Sequence, residues 1–171
     1  DKSRFELFGY YTHGVRDDLT MRIQLSADSW RDIKGKSDEN VAQQIRRDGV
    51  DLLIDLSGHT AGNRLMVFAL KPAPVQATWF GYYDTTGLSA MDYIVADRFL
   101  IPPEEEGNYV ERVVRLPDAY DCFTPPDYAP EPSSLPALAA GKVTFGCFNN
   151  PAKLSEAVIS CWSKLLHASP H

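Results

Sequence analysis

Short apolar runs alternate with amphipathic segments along most of this chain. The apolar runs predict strands, which are buried at residues 5–11 and 50–58 and are followed by further strands at 75–83, 91–97, 111–117 and 143–148. The amphipathic segments predict helices, over residues 17–27, 37–49, 62–70 and 155–170. Strands that alternate with helices are typical of an α/β domain with a largely parallel sheet.

The helix over residues 37–49 carries the clearest end signals. Ser37 can cap its start, acidic residues occupy its first turn and basic residues its last turn, and Gly49 can end it. Ser155 gives a similar start signal for the last helix.

A proline-rich segment divides the chain. Six prolines lie between Pro117 and Gly141, too many for regular structure, so residues 117–142 are predicted to be a linker. Residues 1–116 are then an α/β domain, and residues 143–171 are the first strand–helix unit of a second one. Because one strand and one helix cannot bury both faces of a sheet, we expect the chain to be a fragment.

Composition and charge exclude several classes of function. The chain has 17 basic and 23 acidic side chains, a formal net charge of −6, which argues against nucleic-acid binding. No apolar run approaches the roughly 18 residues of a membrane helix. The three cysteines form no CxxC pair and no metal-ligand spacing with the four histidines. Sparse cysteines favour a reducing compartment, and we expect a cytoplasmic protein.

Three polar loops follow predicted strands, where α/β sheets bind their ligands. Their sequences are SGHTAGN at 57–63, YYDTTGLS at 82–89 and NNPAKLS at 149–155. Two belong to the first predicted domain and one to the second. A cleft between two α/β domains would use all three loops.

Each candidate residue in these loops has a functional and a structural interpretation. His59 could exchange a proton or bind a hydroxyl-rich ligand, or it could bond only to loop backbone. Asp55, at the end of a strand, could be a base or the partner of a loop amide. Lys153 lies just before a predicted helix start, where it could stabilise a diphosphate, or it could be a surface lysine. The DTTG loop suits sugar or phosphate oxygens, and equally a plain turn.

Three stretches carry a resemblance to a known family: DLLIDLSGHTAGNRL, FALKPAPVQATWFGYYDTTGLSAMDYIVAD and VTFGCFNNPAKLS. Together they resemble the catalytic region of the O-linked N-acetylglucosamine transferase family, glycosyltransferase family 41, with its SPINDLY-like relatives. The resemblance implies a GT-B fold, in which two Rossmann-like domains face a cleft. It also implies a UDP-sugar donor and no need for a metal ion or other cofactor.

The resemblance assigns roles to individual residues. Lys153 matches the lysine that contacts the donor diphosphate and supports its departure, and Asn150 falls beside the nucleotide. His59 and Thr60 match a loop on the sugar side of the cleft, which implies a catalytic role for His59. A small-residue loop with architectural and donor-binding functions matches Thr85, Thr86 and Gly87.

The implied reaction is an inverting transfer of N-acetylglucosamine from UDP-N-acetylglucosamine to Ser or Thr hydroxyls of proteins. Relatives imply tetratricopeptide repeats upstream, and we expect this fragment to be inactive alone. Three alternatives stay open. One is fucose transfer from GDP-fucose by the same fold, another is a non-catalytic scaffold, and the third is an epimerase of similar shape.

Overall fold

The structure is a computed structural model. It describes residues 2–169. The chain separates into two compact units, Asp1–Phe123 and Thr124–His171, and each is described by itself. The first residue of the predicted domain 1–116 and the last two of the predicted unit 143–171 lie outside the described residues.

The first unit begins with a small parallel sheet. Strand β1 (Phe8–Tyr11) is followed by helix α1 (Asp18–Ser26) and strand β2 (Ser29–Asp32), and the two strands pair in parallel. The sequence SWRD of β2 has only one apolar residue, so no apolar run predicts it. Its pairing with β1 supplies the backbone hydrogen bonds that make it a strand.

The larger sheet has four parallel strands in the same order as in the chain. They are β3 (Leu52–Asp55), β4 (Val75–Thr78), β5 (Tyr93–Ala96) and β6 (Arg112–Arg115). All four were predicted, although each is shorter than its apolar run. The predicted parallel arrangement is confirmed, but it is divided between two sheets.

Two helices pack against strand β3 on one face of this sheet. Helix α2 (Asp38–Asp48) begins at the predicted cap, where the Ser37 side chain accepts a hydrogen bond from the Asn40 N–H, and it ends at Gly49 in the left-handed conformation with φ 69°. Helix α3 (Leu65–Ala69) is shorter. Side chains of both helices form one buried cluster with Leu53 of β3. The opposite face of the sheet leaves apolar side chains exposed, among them Leu52, Ile54, Val75 and Val114.

A buried carboxylate fastens the small sheet to the end of α2. Asp48 accepts hydrogen bonds from the Tyr10 hydroxyl at 2.7 Å, the Arg31 guanidinium at 3.0 Å and the Gln44 amide at 3.0 Å. Burial raises the pKa of Asp48, but these three hydrogen bonds outweigh burial and hold that pKa below its usual value. Burial and then the hydrogen bond to Asp48 raise the pKa of the Tyr10 phenol.

The second unit is largely helical. It contains α4 (Pro136–Ala140), a 3-10 turn at Pro151–Lys153 and α5 (Glu156–Ala168). Ser155 caps α5 as predicted, because its side chain accepts from the Val158 N–H at 3.4 Å. Within residues 2–169 no helix combines the length and the apolar character needed to cross a membrane.

One prediction for the second part of the chain is wrong. The predicted strand at 143–148 is irregular, because no strand of this unit pairs with it among the described residues and Val143, Phe145 and Phe148 are exposed. The linker over 117–142 stays a prediction, but this segment is not wholly irregular, since α4 lies within it. Pro136 at the first helical position is preset for a helix, and the alanines that follow favour one.

Candidate functional site

The carboxyl ends of β3 and β4 are joined by a buried carboxylate. Asp55 accepts hydrogen bonds from the Ser57 N–H at 3.1 Å, the Gly58 N–H at 2.7 Å and the Thr78 hydroxyl at 3.0 Å. Asp55 could be a base or the partner of a loop amide, and the structure supports the second interpretation. Asp55 therefore fixes the course of the loop that carries His59.

Two glycines let the loops after β3 and β4 approach closely. A Cβ on Gly81 would lie 2.1 Å from the Leu56 carbonyl oxygen, and one on Gly58 would lie 2.2 Å from the Tyr82 Cβ. Both distances are far below van der Waals contact, so neither position accepts a side chain without movement. This close packing brings His59 beside the loop at residues 82–87.

His59 contacts that loop through its ring. Its Nε2 lies 3.0 Å from the Thr86 carbonyl oxygen, and its ring meets the Tyr82 ring edge-on at 5.3 Å between centroids. A carbonyl only accepts hydrogen bonds, so Nε2 must carry the proton in this contact. In the neutral imidazole Nδ1 is then the basic nitrogen. His59 is exposed, which leaves Nδ1 available to a ligand.

A second buried carboxylate holds the DTTG loop. Glu111 accepts from the Thr85 hydroxyl and the Thr86 N–H, each at 2.8 Å, and also from the Thr86 hydroxyl. The Thr85 hydroxyl further accepts from the Gly87 N–H at 3.1 Å. Gly87 has φ 70°, a conformation that suits glycine. Thr85 and Thr86 thus build the loop, and they orient the carbonyl that His59 contacts.

Thr60 follows His59 on the exposed side of the first loop. Its hydroxyl donates to the Ser57 carbonyl at 2.7 Å, and its own carbonyl accepts from the Asn63 side-chain amide at 2.8 Å. These short-range bonds close the loop into a compact turn ahead of α3.

The remaining candidates lie in the second unit. The Asn150 side chain accepts from the Ala152 N–H at 2.9 Å and so caps the 3-10 turn that Lys153 ends. Lys153 is exposed and forms no ion pair with any residue among 2–169. Helix α5 starts just beyond it, and the unpaired N–H groups of a helix start carry partial positive charge. The turn thus joins a lysine ammonium to the positive end of a helix, a combination that suits an anion.

Comparison with known proteins decides the family. Residues 1–124 match the family described as glycosyl transferase family 41. The chain belongs to this family.

Two named glycosyltransferases are similar to this family 41 chain. It is 49% identical over 142 residues to a probable UDP-N-acetylglucosamine–peptide N-acetylglucosaminyltransferase SPINDLY of Petunia hybrida, covering 83% of this chain and 15% of the relative. It is 35% identical over 127 residues to the UDP-N-acetylglucosamine–peptide N-acetylglucosaminyltransferase of Caenorhabditis elegans, covering 70% of this chain and 11% of the relative. The chain thus spans a small part of the length of these relatives.

A solved structure confirms the predicted fold class of this family 41 chain. A mutant of the O-GlcNAc transferase of Thermobaculum terrenum is 40% identical and superposes with a TM-score of 0.83, covering 98% of this chain and 32% of the solved one. With the parallel sheets, this likeness shows an α/β fold of the GT-B class with a Rossmann-like first unit.

Within the family 41 chain, the structure brings some predicted site residues together. His59 and Thr60 share one loop, and the next loop, with Thr85, Thr86 and Gly87, lies against His59. Asn150 and Lys153 share the 3-10 turn of the other unit. Within residues 2–169, no group of three or more His, Cys, Asp or Glu side chains could hold a metal ion.

Sequence reasoning missed two residues that shape the site. Glu111 lies 25 residues from Thr86 in the chain, at the start of a strand, and no local pattern indicates the contact. Tyr82 belongs to the predicted loop at 82–89, but the sequence assigns no role to its side chain. The one available signal for Glu111 was its place as an acidic residue at the start of the predicted strand at 111–117.

Proposed function

We propose that the protein containing this chain is a protein O-glycosyltransferase. It would transfer N-acetylglucosamine from UDP-N-acetylglucosamine to Ser or Thr hydroxyls of proteins, with inversion and without a metal ion. The observation that carries the proposal is the 49% identity, over 83% of the chain, to a protein named a probable UDP-N-acetylglucosamine–peptide N-acetylglucosaminyltransferase.

In this proposal the second unit holds the leaving group. Lys153 and the start of α5 would bind the diphosphate, with Asn150 beside the nucleotide. Negative charge grows on the diphosphate as its bond to the sugar breaks. A fixed ammonium and preorganised helix N–H groups stabilise that charge most in the transition state, which is where stabilisation accelerates the reaction.

The first unit would act on the acceptor hydroxyl and the sugar. The acceptor oxygen forms a bond to the anomeric carbon while the bond from that carbon to the diphosphate oxygen breaks. The hydroxyl proton goes to a base, and Nδ1 of His59 has the basic character for it because Nε2 is committed to the Thr86 carbonyl. Thr60 and the loop at Thr85–Gly87 would line the sugar side.

The wider setting is also part of the proposal. Cys122, Cys147 and Cys161 are free and exposed, which supports a reducing compartment and hence the cytoplasm. We further expect tetratricopeptide repeats upstream, as the sequence resemblance implies.

The proposal is tested with the full-length protein. It is incubated with UDP-N-acetylglucosamine and cell protein, and UDP release and sugar incorporation are followed together. Lys153→Ala should lower both by about 100-fold or more, since it removes a charge from the leaving-group site. Lys164→Ala, at an exposed position within α5, is the matched control and should change neither.

The alternatives give different results in the same assay. Incorporation from GDP-fucose alone would establish fucosyl transfer. Conversion of the free sugar nucleotide without an acceptor would indicate an epimerase. No turnover of either donor, or equal rates for Lys153→Ala and the parent, would contradict the proposal and favour a scaffold.

A further inference from the structure

The first unit contains a cavity that the proposed reaction does not use. It has a volume of about 480 Å³ and lies between the loop after β4 and the 3-10 helix at Pro103–Asn108. Its size falls within the range of small-ligand sites, roughly 300–1,000 Å³. Its wall is polar and aromatic, formed by Tyr82, Tyr83, Asp84, Glu105, Asn108 and Tyr109.

The charge of the cavity wall is uncompensated. Asp84 and Glu105 are both acidic, no lysine or arginine lines the cavity, and neither carboxylate forms an ion pair within the part of the chain that the structure describes. The pKa of the Tyr109 phenol is raised, first by burial and then by the negative charges of Asp84, Glu105 and Glu111. The cavity is therefore electronegative.

The aromatic rings add a preference for cations. Three of the six lining residues are tyrosines, and the Tyr82 and Tyr83 rings lie nearly parallel, 11° apart in plane with centroids 6.5 Å apart. The faces of such rings attract ammonium and guanidinium groups. A neutral sugar could hydrogen-bond to the carboxylates but would leave both charges uncompensated. A lysine or arginine side chain can lie against the faces of the rings and also compensate the negative charge of the carboxylates.

The cavity adjoins the candidate site. Tyr82 lines the cavity and also contacts the His59 ring, and Asp84 directly precedes the Thr85–Gly87 loop. A side chain held in the cavity would thus belong to a molecule that also reaches His59. We propose that this cavity binds a lysine or arginine side chain of the acceptor protein, close in sequence to the hydroxyl that is modified. This inference rests on the proposed transferase function.

The test compares acceptor peptides with the full-length protein. One series carries a single lysine or arginine at successive positions around a serine, and a matched series carries glutamine there. The parent should prefer the best basic peptide over its glutamine match by about tenfold in kcat/KM, and the preference should shrink as salt is raised. Asp84→Asn and Glu105→Gln should each reduce that preference about fivefold.

The variants are chosen to preserve the fold. Asp84→Asn keeps the side-chain oxygen that accepts from the Thr85 N–H at 2.7 Å, and Glu105 is on the exposed 3-10 helix. Glu104→Gln removes a neighbouring charge that does not line the cavity, so it should leave the preference unchanged. Equal loss in Glu104→Gln would mean a diffuse acidic surface, which overturns the proposal.

A binding measurement separates this inference from the proposed function. Fluorescence anisotropy follows a labelled basic peptide in the absence of donor, for the parent and both variants. If no donor is turned over but the basic peptide binds and the variants weaken it, the transferase proposal fails and the cavity assignment stands. If basic and glutamine peptides bind alike, or if the variants weaken donor binding instead, the cavity assignment is overturned.

Discussion

The contact between Glu111 and the DTTG loop can be tested by removing the carboxylate. Glu111 is 4% exposed and Thr86 is also 4% exposed, so water does not readily replace the lost partner. Glu111→Ala removes an acceptor from the Thr86 N–H and from two hydroxyls. The loop should then open far more often than in the parent.

The magnitude follows from the hydrogen bonds that are lost. A hydrogen bond to a charged group contributes about 1.5–3 kcal/mol, and a buried donor left without a partner costs about 1–3 kcal/mol. These terms are not additive, and we expect about 3–4 kcal/mol for Glu111→Ala. Glu111→Gln keeps one carbonyl oxygen for the Thr86 N–H and should cost about 1–2 kcal/mol.

Hydrogen exchange measures this effect locally in the full-length protein. At about 1.4 kcal/mol per factor of ten, the Thr86 amide should exchange roughly 100 to 1,000 times faster in Glu111→Ala and about 5 to 30 times faster in Glu111→Gln. The amide of Ile94, in the buried strand β5, should change little because the effect is confined to the loop. Glu104→Ala, on the exposed 3-10 helix, serves as the control.

Two results would refute the reasoning about Glu111. If the Thr86 amide exchanges within threefold of the parent rate in Glu111→Ala, the carboxylate does not hold the loop. If the exchange rate of the Ile94 amide rises as much as that of the Thr86 amide, the variant unfolds the whole unit, and Glu111 does not stabilise the loop separately.

Three further predictions concern the frame of the site. Gly81→Ala would place a Cβ 2.1 Å from the Leu56 carbonyl oxygen. Urea unfolding should show the first unit destabilised by about 2 kcal/mol or more. Gly107→Ala is the control and should not destabilise it, because a Cβ there would meet nothing within 4 Å. Ser37→Ala should cost about 1 kcal/mol in the same experiment through loss of the helix cap, and Ser37→Asp should restore it. The folded protein lowers the pKa of Asp48. The ionised Asp48 carboxylate therefore stabilises the fold fully above the ordinary carboxyl pKa of about 4, and this stabilisation is lost as pH falls through the lower pKa of the folded state. Thermal unfolding from pH 7 to 2 should show this loss, and Asp48→Asn should be less stable than the parent at pH 7 but less sensitive to acid.

Features that depend on neighbouring residues were predictable from the sequence. Helix α2 begins and ends where its cap residues indicate, since capping involves only adjacent turns. The four strands of the larger sheet lie within the predicted apolar runs, since each run is a property of local composition. The loops that carry His59 and Thr86 were found because they follow those strands.

Features that depend on distant partners were not predictable. Strand β2 exists because β1 lies beside it. Residues 143–148 are irregular despite a strand-like composition, because no strand among residues 2–169 pairs with them. Glu111 and Thr86 are 25 residues apart in the chain, with strand β5 between them. The orientation of the His59 ring, which decides its basic nitrogen, likewise depends on a carbonyl 27 residues away.

The order of strands in the larger sheet has a consequence for folding. Each strand from β4 to β6 pairs with the strand that precedes it in the chain, so none waits for a later segment before it finds a partner. During synthesis the sheet can therefore grow by one strand at a time, in the order in which the strands leave the ribosome. Pairing between successive strands keeps each loop closure shorter than pairing between distant strands would, which lowers its entropic cost.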